Sequence, residues 1–444
     1  MTSAEVLIRY FAELERLSIP YVVLHSYETL PDRVESDVDL CVAEARLADA
    51  LACRDRVASE AGWLVTQTFQ HEIPAFYNVL ADPQNPDQYL KLDVCSHYFV
   101  RGRLFLRDTD LLHRPQRFRS FYVPCASSEC LYVLVKMFLK RKDPAPFRER
   151  LSRLQALDPD RAQQLFARVF GPNAGQLRDW LARPVADWQA LGRMLLARNP
   201  RTPWQIAAEW RRRFRRLAEP TGCSIAFVAS NDAARSALLH AVQPLLVPHF
   251  RRQMVLRFVP QRDAAEARTA IPAPARPPRG TLMSWTKVLY YFARGWAHWL
   301  ARQVPARIHS TCILFDQTFD DLLVDARQYR LQRITPAVKM LRRLLPRPDL
   351  IFVLDAPAGI IPNREPGVAL QQPERQRAIL RELAGSDPRV VIIQTTAAVP
   401  EVAREVYRHV IQWLAARYRN RMAFKAPTEQ TVAAQNDWPR VGRL

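Results

Sequence analysis

Apolar residues recur at helical spacing near the start of the chain, where Val6, Leu7, Tyr10, Phe11 and Leu14 share one face of a helix over residues 3–17. Ile19-Pro20 closes it, because the residue before a proline is pushed out of the helical region. Tyr21-Val22-Val23-Leu24 is an apolar run of buried-strand length. A polar loop from Ser26 to Ser36 separates it from a second such run, Val38 to Val42, and a helix is expected over 45–61. Ala75 to Leu80 and Gln88 to Val94 read as the strands of a hairpin around Asp82-Pro83-Gln84-Asn85-Pro86. From 127 to 217 the pattern is helical. Leu131, Leu134, Val135, Phe138 and Leu139 make one stripe, and further helices fit 162–169, 177–181 and 188–196.

Beyond Cys223 strands and helices alternate. Strands are expected at 224–229, 312–315, 350–354 and 390–394, and helices at 233–242 (closed by Pro244), 286–304, 337–344, 372–383 and 402–417. Alternation of this kind predicts a parallel sheet with helical cover. Residues 259–280 are rich in Pro, Ala and Arg and read as a loop, and no periodicity survives after Phe424. The expected architecture is multidomain α/β. A mixed-sheet domain spans 1–126, a helical module 127–217, a parallel-sheet domain 218–424 and a tail 425–444.

Composition narrows the class. With 48% hydrophobic and 24% charged residues in 444, the chain has the balance of an ordinary globular protein, which excludes a wholly disordered, collagen-like or coiled-coil chain. The net charge of +20 comes almost entirely from arginine, with only 7 lysines among 64 basic residues. Such a surface suits phosphate-rich ligands, nucleic acid or an anionic membrane. No nucleic-acid-binding module signature is present, so nucleic acid is not an expected partner. The seven cysteines have no CxxC spacing, and no apolar run is long enough to span a bilayer, so a cytoplasmic setting without a transmembrane segment is expected. Trp285 to Trp299 is aromatic and basic, and its helical spacing is expected to place it in the core.

Two constellations carry chemistry. The first is Asp37-Val38-Asp39 at the start of a strand. Residues two apart on a strand share a face, and a third carboxylate, Asp93, sits between Leu92 and Val94 in another strand. Carboxylates so gathered can hold divalent cations for phosphoryl or nucleotidyl transfer. With Leu24-His25-Ser26 ending the earlier strand and Asp37 eleven positions beyond Ser26, the segment Tyr21 to Val42 resembles the nucleotidyltransferase superfamily of the DNA polymerase β type, in particular the stand-alone proteins of bacterial polysaccharide gene clusters. His25 stands where the family has glycine. The resemblance implies Asp37 and Asp39 as Mg²⁺ ligands (two ions possible), Asp93 as third ligand or base, and Ser26 as a contact to the phosphates of a nucleoside triphosphate. It also implies a small-molecule or saccharide acceptor. Lys136, Lys140, Arg141 and Lys142 follow on a helix, where a solvated face is expected although triphosphate is within their possible reach; His71 and His97, flanking Asp93, are expected to be ordinary surface or core histidines.

The second constellation is Ala229-Ser230-Asn231-Asp232-Ala233-Ala234-Arg235-Ser236, set between a strand and a helix as a phosphate loop is. A working loop, G-x-x-x-x-G-K-[ST], wraps a phosphate with backbone N–H groups and reaches it with lysine. Here Ala229 and Ala234 replace the glycines and Arg235 the lysine, while Ser236 keeps the hydroxyl. Residues 224–420 resemble the thymidylate kinase-like P-loop kinases. Asp316 is kept from the family's Asp-Arg pair with Gln317 in place of arginine, Val353-Leu354-Asp355-Ala356-Pro357 matches the strand before the lid, and Arg364 falls in the lid region. The resemblance implies a degenerate phosphate site at Ala229, Asn231, Asp232, Ala234, Arg235, Ser236, Asp316 and Arg364. Three functions therefore compete: a metal-dependent nucleotidyl or phosphoryl transferase in the first half, a nucleotide or sugar kinase in the second, and a non-catalytic nucleotide-binding or scaffold protein. Oligomeric state is not legible in the sequence.

Overall fold

The computed structural model describes residues 1–142, 145–175, 188–229, 232–257, 280–324, 335–355 and 387–422, with 177, 378 and 385 besides. The chain divides into two compact units, Met1–Arg215 with Leu414–Leu444, and Arg216–Trp413. The helices from 126 to 215 cluster with the first unit, and the expected tail lies outside the described residues.

The first unit is built on a five-stranded mixed sheet. Its strands are β1 (Tyr21–Val23), β2 (Val38–Val42), β3 (Leu64–Glu72), β4 (Ala75–Ala81) and β5 (Tyr89–Cys95), in the order β1-β2-β5-β4-β3. Only β2 and β5 run parallel; the other neighbours are antiparallel. The expected hairpin is the β4–β5 pair, Ala75 opposite Cys95 through Ala81 opposite Tyr89. Two small ribbons follow, β6 (Tyr98–Val100) with β7 (Arg103–Leu106), and β8 (Gln116–Phe118) with β9 (Phe121–Val123).

Helix Ser3–Arg16 starts at a capping box. The Thr2 hydroxyl accepts from the Glu5 N–H and the Glu5 carboxylate accepts from the Thr2 N–H, which satisfies two N–H groups that a helix start would otherwise leave unpaired. Its apolar face, Val6, Leu7, Tyr10, Phe11 and Leu14, is buried as the spacing predicts. Helix Ala126–Lys140 buries its stripe of Leu131, Leu134, Val135, Phe138 and Leu139 in the same core and stops at Arg141, which takes a left-handed conformation. That helix matters for the site, because it carries Tyr132, Lys136 and Lys140 on successive turns.

The second unit holds an all-parallel sheet of β10 (Cys223–Ala229), β11 (Arg252–Arg257), β12 (Thr311–Gln317), β13 (Leu350–Asp355) and β14 (Val390–Gln394), in the order β11-β12-β10-β13-β14. β10, β12 and β13 are buried along their whole length, the continuous apolar pattern that a parallel sheet covered on both faces requires. The all-parallel sheet agrees with a P-loop kinase-like domain.

Three sequence expectations change. β11 was hidden because Arg252, Gln253 and Arg257 interrupt its apolar residues. Pro244 does not end its helix but sits inside Asp232–Leu246, two residues before its end; it forfeits the N–H that would bond the carbonyl four residues back, and the helix continues only to Leu246. The aromatic segment is helical over Thr281–His298, but only Ser284, Val288, Tyr291 and Gly295 face inward. Its large apolar residues are mostly exposed, so core placement is wrong for that face. The segments expected as a loop at 259–280 and a helix at 372–383 fall, apart from single positions, outside the described residues.

Candidate functional site

β2 and β5 place Asp39 directly opposite Asp93, so two carboxylates leave one face of the sheet side by side. Asp37 precedes β2 and stays exposed in the wall of a pocket of about 180 Å³ shared with Ser26, Glu35 and Ser36. The sequence therefore found three carboxylates of which the structure brings two abreast and leaves the third at the mouth.

Asp39 is buried and already held. His25 Nε2 lies 2.6 Å and Lys136 Nζ 2.8 Å from its Oδ2, and Lys136 also rests against His25. Burial alone would raise the Asp39 pKa; the His25 hydrogen bond and the Lys136 charge outweigh it and hold the carboxyl well below the ordinary range. His25 Nδ1 meets the Ser26 hydroxyl at 2.7 Å. One consistent proton arrangement runs from Ser26 O–H to His25 and from His25 N–H to Asp39. The His25 ring stacks on Tyr132 at 5.7 Å and 22°, and Lys136 lies 5.4 Å from the same ring. Tyr132 thus packs against both groups that face Asp39. Asp93 is held separately by His71 Nε2 at 2.7 Å.

His25, which stands where the resemblance led glycine to be expected, is half-buried between Ser26, Asp39 and Lys136. Ser26 has φ +54°, the left-handed region that favours glycine, so this turn is strained in its serine form. Lys140, one turn beyond Lys136, has its pKa lowered by burial and by Lys136.

A metal pair would need several hard oxygen donors converging on open coordination positions. Among the described residues no group of three or more His, Cys, Asp or Glu side chains could hold a metal ion. The Lys136 ammonium stands on Asp39 where such an ion would sit. As placed, these residues do not fit a Mg²⁺ pair.

In the second unit Ala229 ends β10 and Asp232 starts the next helix, with Ser230 and Asn231 between them outside the described residues, as is Arg364. Ala234 is exposed and Ser236 half-buried. Arg235 is buried at 2% exposure and turned inward. Its Nη1 lies 2.9 Å from Asp321 Oδ1 and its Nε 3.4 Å from Asp316 Oδ1. Asp316 also takes Arg257, at the end of β11, at 2.8 Å. Asp321 accepts in addition from the Thr318 N–H at 2.5 Å. The side-chain oxygen of Gln317 is buried without a hydrogen-bond partner among the described residues. Asp355 ends β13 and its carbonyl accepts from Thr395.

Sequence reasoning placed Arg235 and Asp316 at one site but missed Arg257 and Asp321, which complete the network. It also expected Lys136 to face solvent, where the structure sets it on Asp39.

No family model matches the chain, and no curated protein matches it. Among solved structures, a thymidylate kinase from Ehrlichia chaffeensis matches at 13% identity and a TM-score of 0.32, over 43% of this chain and 100% of that one. A likeness that loose assigns neither fold nor activity; the parallel strand order carries the kinase-like description of the second unit.

Proposed function

We propose that the chain is a binding protein for a nucleotide or a similar phosphorylated ligand, with its site in the first unit at Ser26, His25, Asp39, Asp93, Lys136 and Lys140. One observation carries this reading: the Lys136 ammonium neutralises Asp39 from inside the protein, and His25 holds the same carboxylate oxygen. Bare carboxylates at this place would repel a phosphate. The ammonium cancels that charge and keeps a further N–H for a ligand oxygen, since an ammonium has three donors. The second unit keeps a kinase-like sheet whose phosphate-loop arginine is spent on Asp316 and Asp321, and it serves as framework rather than as a kinase.

The test is calorimetric titration of ATP, CTP, GTP and UTP into the intact chain, an Asp37→Ala/Asp39→Ala variant and an Arg235→Ala variant. Binding by the intact chain that survives Arg235→Ala supports the reading. At about 100 times the dissociation constant the ligand should stabilise the protein by roughly 2.7 kcal/mol. Transfer of a nucleotidyl or phosphoryl group to a saccharide acceptor that requires Mg²⁺ and is lost in the aspartate variant would replace it with the transferase reading. Binding lost only with Arg235 would move the site to the second unit.

A further inference from the structure

Ser26, His25 and Asp39 form a continuous hydrogen-bonded chain in which both nitrogens of the ring are used. The Ser26 hydroxyl meets His25 Nδ1 at 2.7 Å, and His25 Nε2 meets Asp39 Oδ2 at 2.6 Å. A serine next to a histidine in sequence makes the first contact easily. The second contact changes its meaning, because a buried carboxylate on the neighbouring strand β2 fixes which nitrogen carries the proton. With Nε2–H on Asp39, Nδ1 is left as an acceptor, the state in which an imidazole takes the proton of a serine. Tyr132, stacked on the ring at 5.7 Å and 22°, sets its plane as well.

The serine is placed to use this base. Ser26 is exposed, sits in a left-handed turn at φ +54° and lines the pocket of about 180 Å³ beside Asp37. Backbone strain of this kind collects at reactive residues. Among the described residues the N–H groups of Tyr27 and Glu28, next along the turn, donate to no backbone or side-chain acceptor. Free donors beside a nucleophile can hold the oxyanion that forms when a carbonyl is attacked.

We propose that Ser26 is the nucleophile of an acyl-transfer site for small carboxylic esters, with His25 as its base and Asp39 as the positioning residue. Ser26 Oγ bonds to the carbonyl carbon as its proton passes to His25 Nδ1. The bond from that carbon to the alcohol oxygen then breaks, and the alcohol leaves with the proton from Nδ1. Water adds to the acyl-serine, giving a proton to Nδ1, and the carboxylic acid departs as that proton returns to Ser26 Oγ. A cavity of about 150 Å³ holds benzene, so a pocket of this size suits a short acyl or aryl group. Lys136 shares Asp39 and touches His25, so its ammonium opposes a charged imidazole and makes the turnover slow. The activity needs no nucleotide and does not depend on the ligand proposed above.

The experiment exposes the full chain to a fluorophosphonate, which an activated serine attacks with loss of fluoride, and locates the adduct by peptide mass spectrometry. The expected result is a single adduct on Ser26, with p-nitrophenyl acetate hydrolysed faster than by Ser26→Ala. That variant changes an exposed side chain, so it should melt like the parent while losing the adduct. His25→Gln should slow the labelling of Ser26 by about 100-fold. Asp39→Asn should slow it as well, and ring-nitrogen NMR should show that His25 no longer keeps its proton on Nε2. An unlabelled Ser26 in the parent would overturn the proposal whatever the variants do. So would labelling of Ser26 at the parent's rate in His25→Gln, which would make the serine merely accessible.

Discussion

The two units handle charge in opposite ways. In the first, a buried acid, Asp39, is covered by bases, Lys136 and His25, whose side chains remain 15% and 23% exposed. In the second, a buried base, Arg235, is covered by acids, Asp316 and Asp321, and neither acid side chain is more than 8% exposed. Both arrangements neutralise a site. The first leaves the neutralising groups where a ligand can reach them. The second closes them inside the protein, so a phosphate would have to break a buried network before meeting a cation. An ion pair at the rim is thus a binding device, and one in the interior is a structural part.

The largest expected effect breaks the interior network. Asp316→Ala removes one of the two counter-charges of buried Arg235, together with the partner of half-exposed Arg257, and should cost the second unit about 3 kcal/mol, read by chemical denaturation. A loss under about 1 kcal/mol would mean the network is not sealed. Next, Lys136→Met uncovers Asp39. Ligand affinity should drop at least tenfold, and the Asp39 pKa should climb back toward its ordinary value, measurable by carboxyl-carbon NMR.

The pH dependence sharpens the same contrast. Because the folded-state pKa of Asp39 is depressed, its contribution to stability is complete above the unfolded value near 3.8 and is lost as pH falls below that toward the folded value. Acid unfolding of the parent should therefore show a component below pH 3.8 that is absent in Asp39→Asn. The smallest effect is Ser26→Gly. Relieving the left-handed strain at φ +54° should stabilise the first unit by about 0.5–1 kcal/mol in thermal melts, while Ala at the same position should not.

Much of this was legible in the chain. The stripe of Val6, Leu7, Tyr10, Phe11 and Leu14 and the runs at β2, β10, β12 and β13 announce themselves because burial requires their spacing. Asp93 stood out as a carboxylate between Leu92 and Val94 in an expected strand, but that it lies directly opposite Asp39 is a matter of strand register that the sequence did not show. What stayed hidden depends on contacts far apart in sequence. Nothing local marks Lys136 as a partner of a residue 97 positions earlier, or Asp321 as one 86 positions after Arg235. The orientation of the 281–298 helix was hidden for a different reason. Periodicity shows that a helix has an apolar face, not which way the fold turns it.

The account stands or falls on whether Lys136 does the work of a metal ion at Asp39. Calorimetric titration of a nucleoside triphosphate in the presence of a chelator, into the parent and into Lys136→Met, tests this directly. The account predicts binding by the parent without divalent cations and at least tenfold weaker binding by the variant. Binding that appears only when Mg²⁺ is restored, and that persists in Lys136→Met, would contradict it.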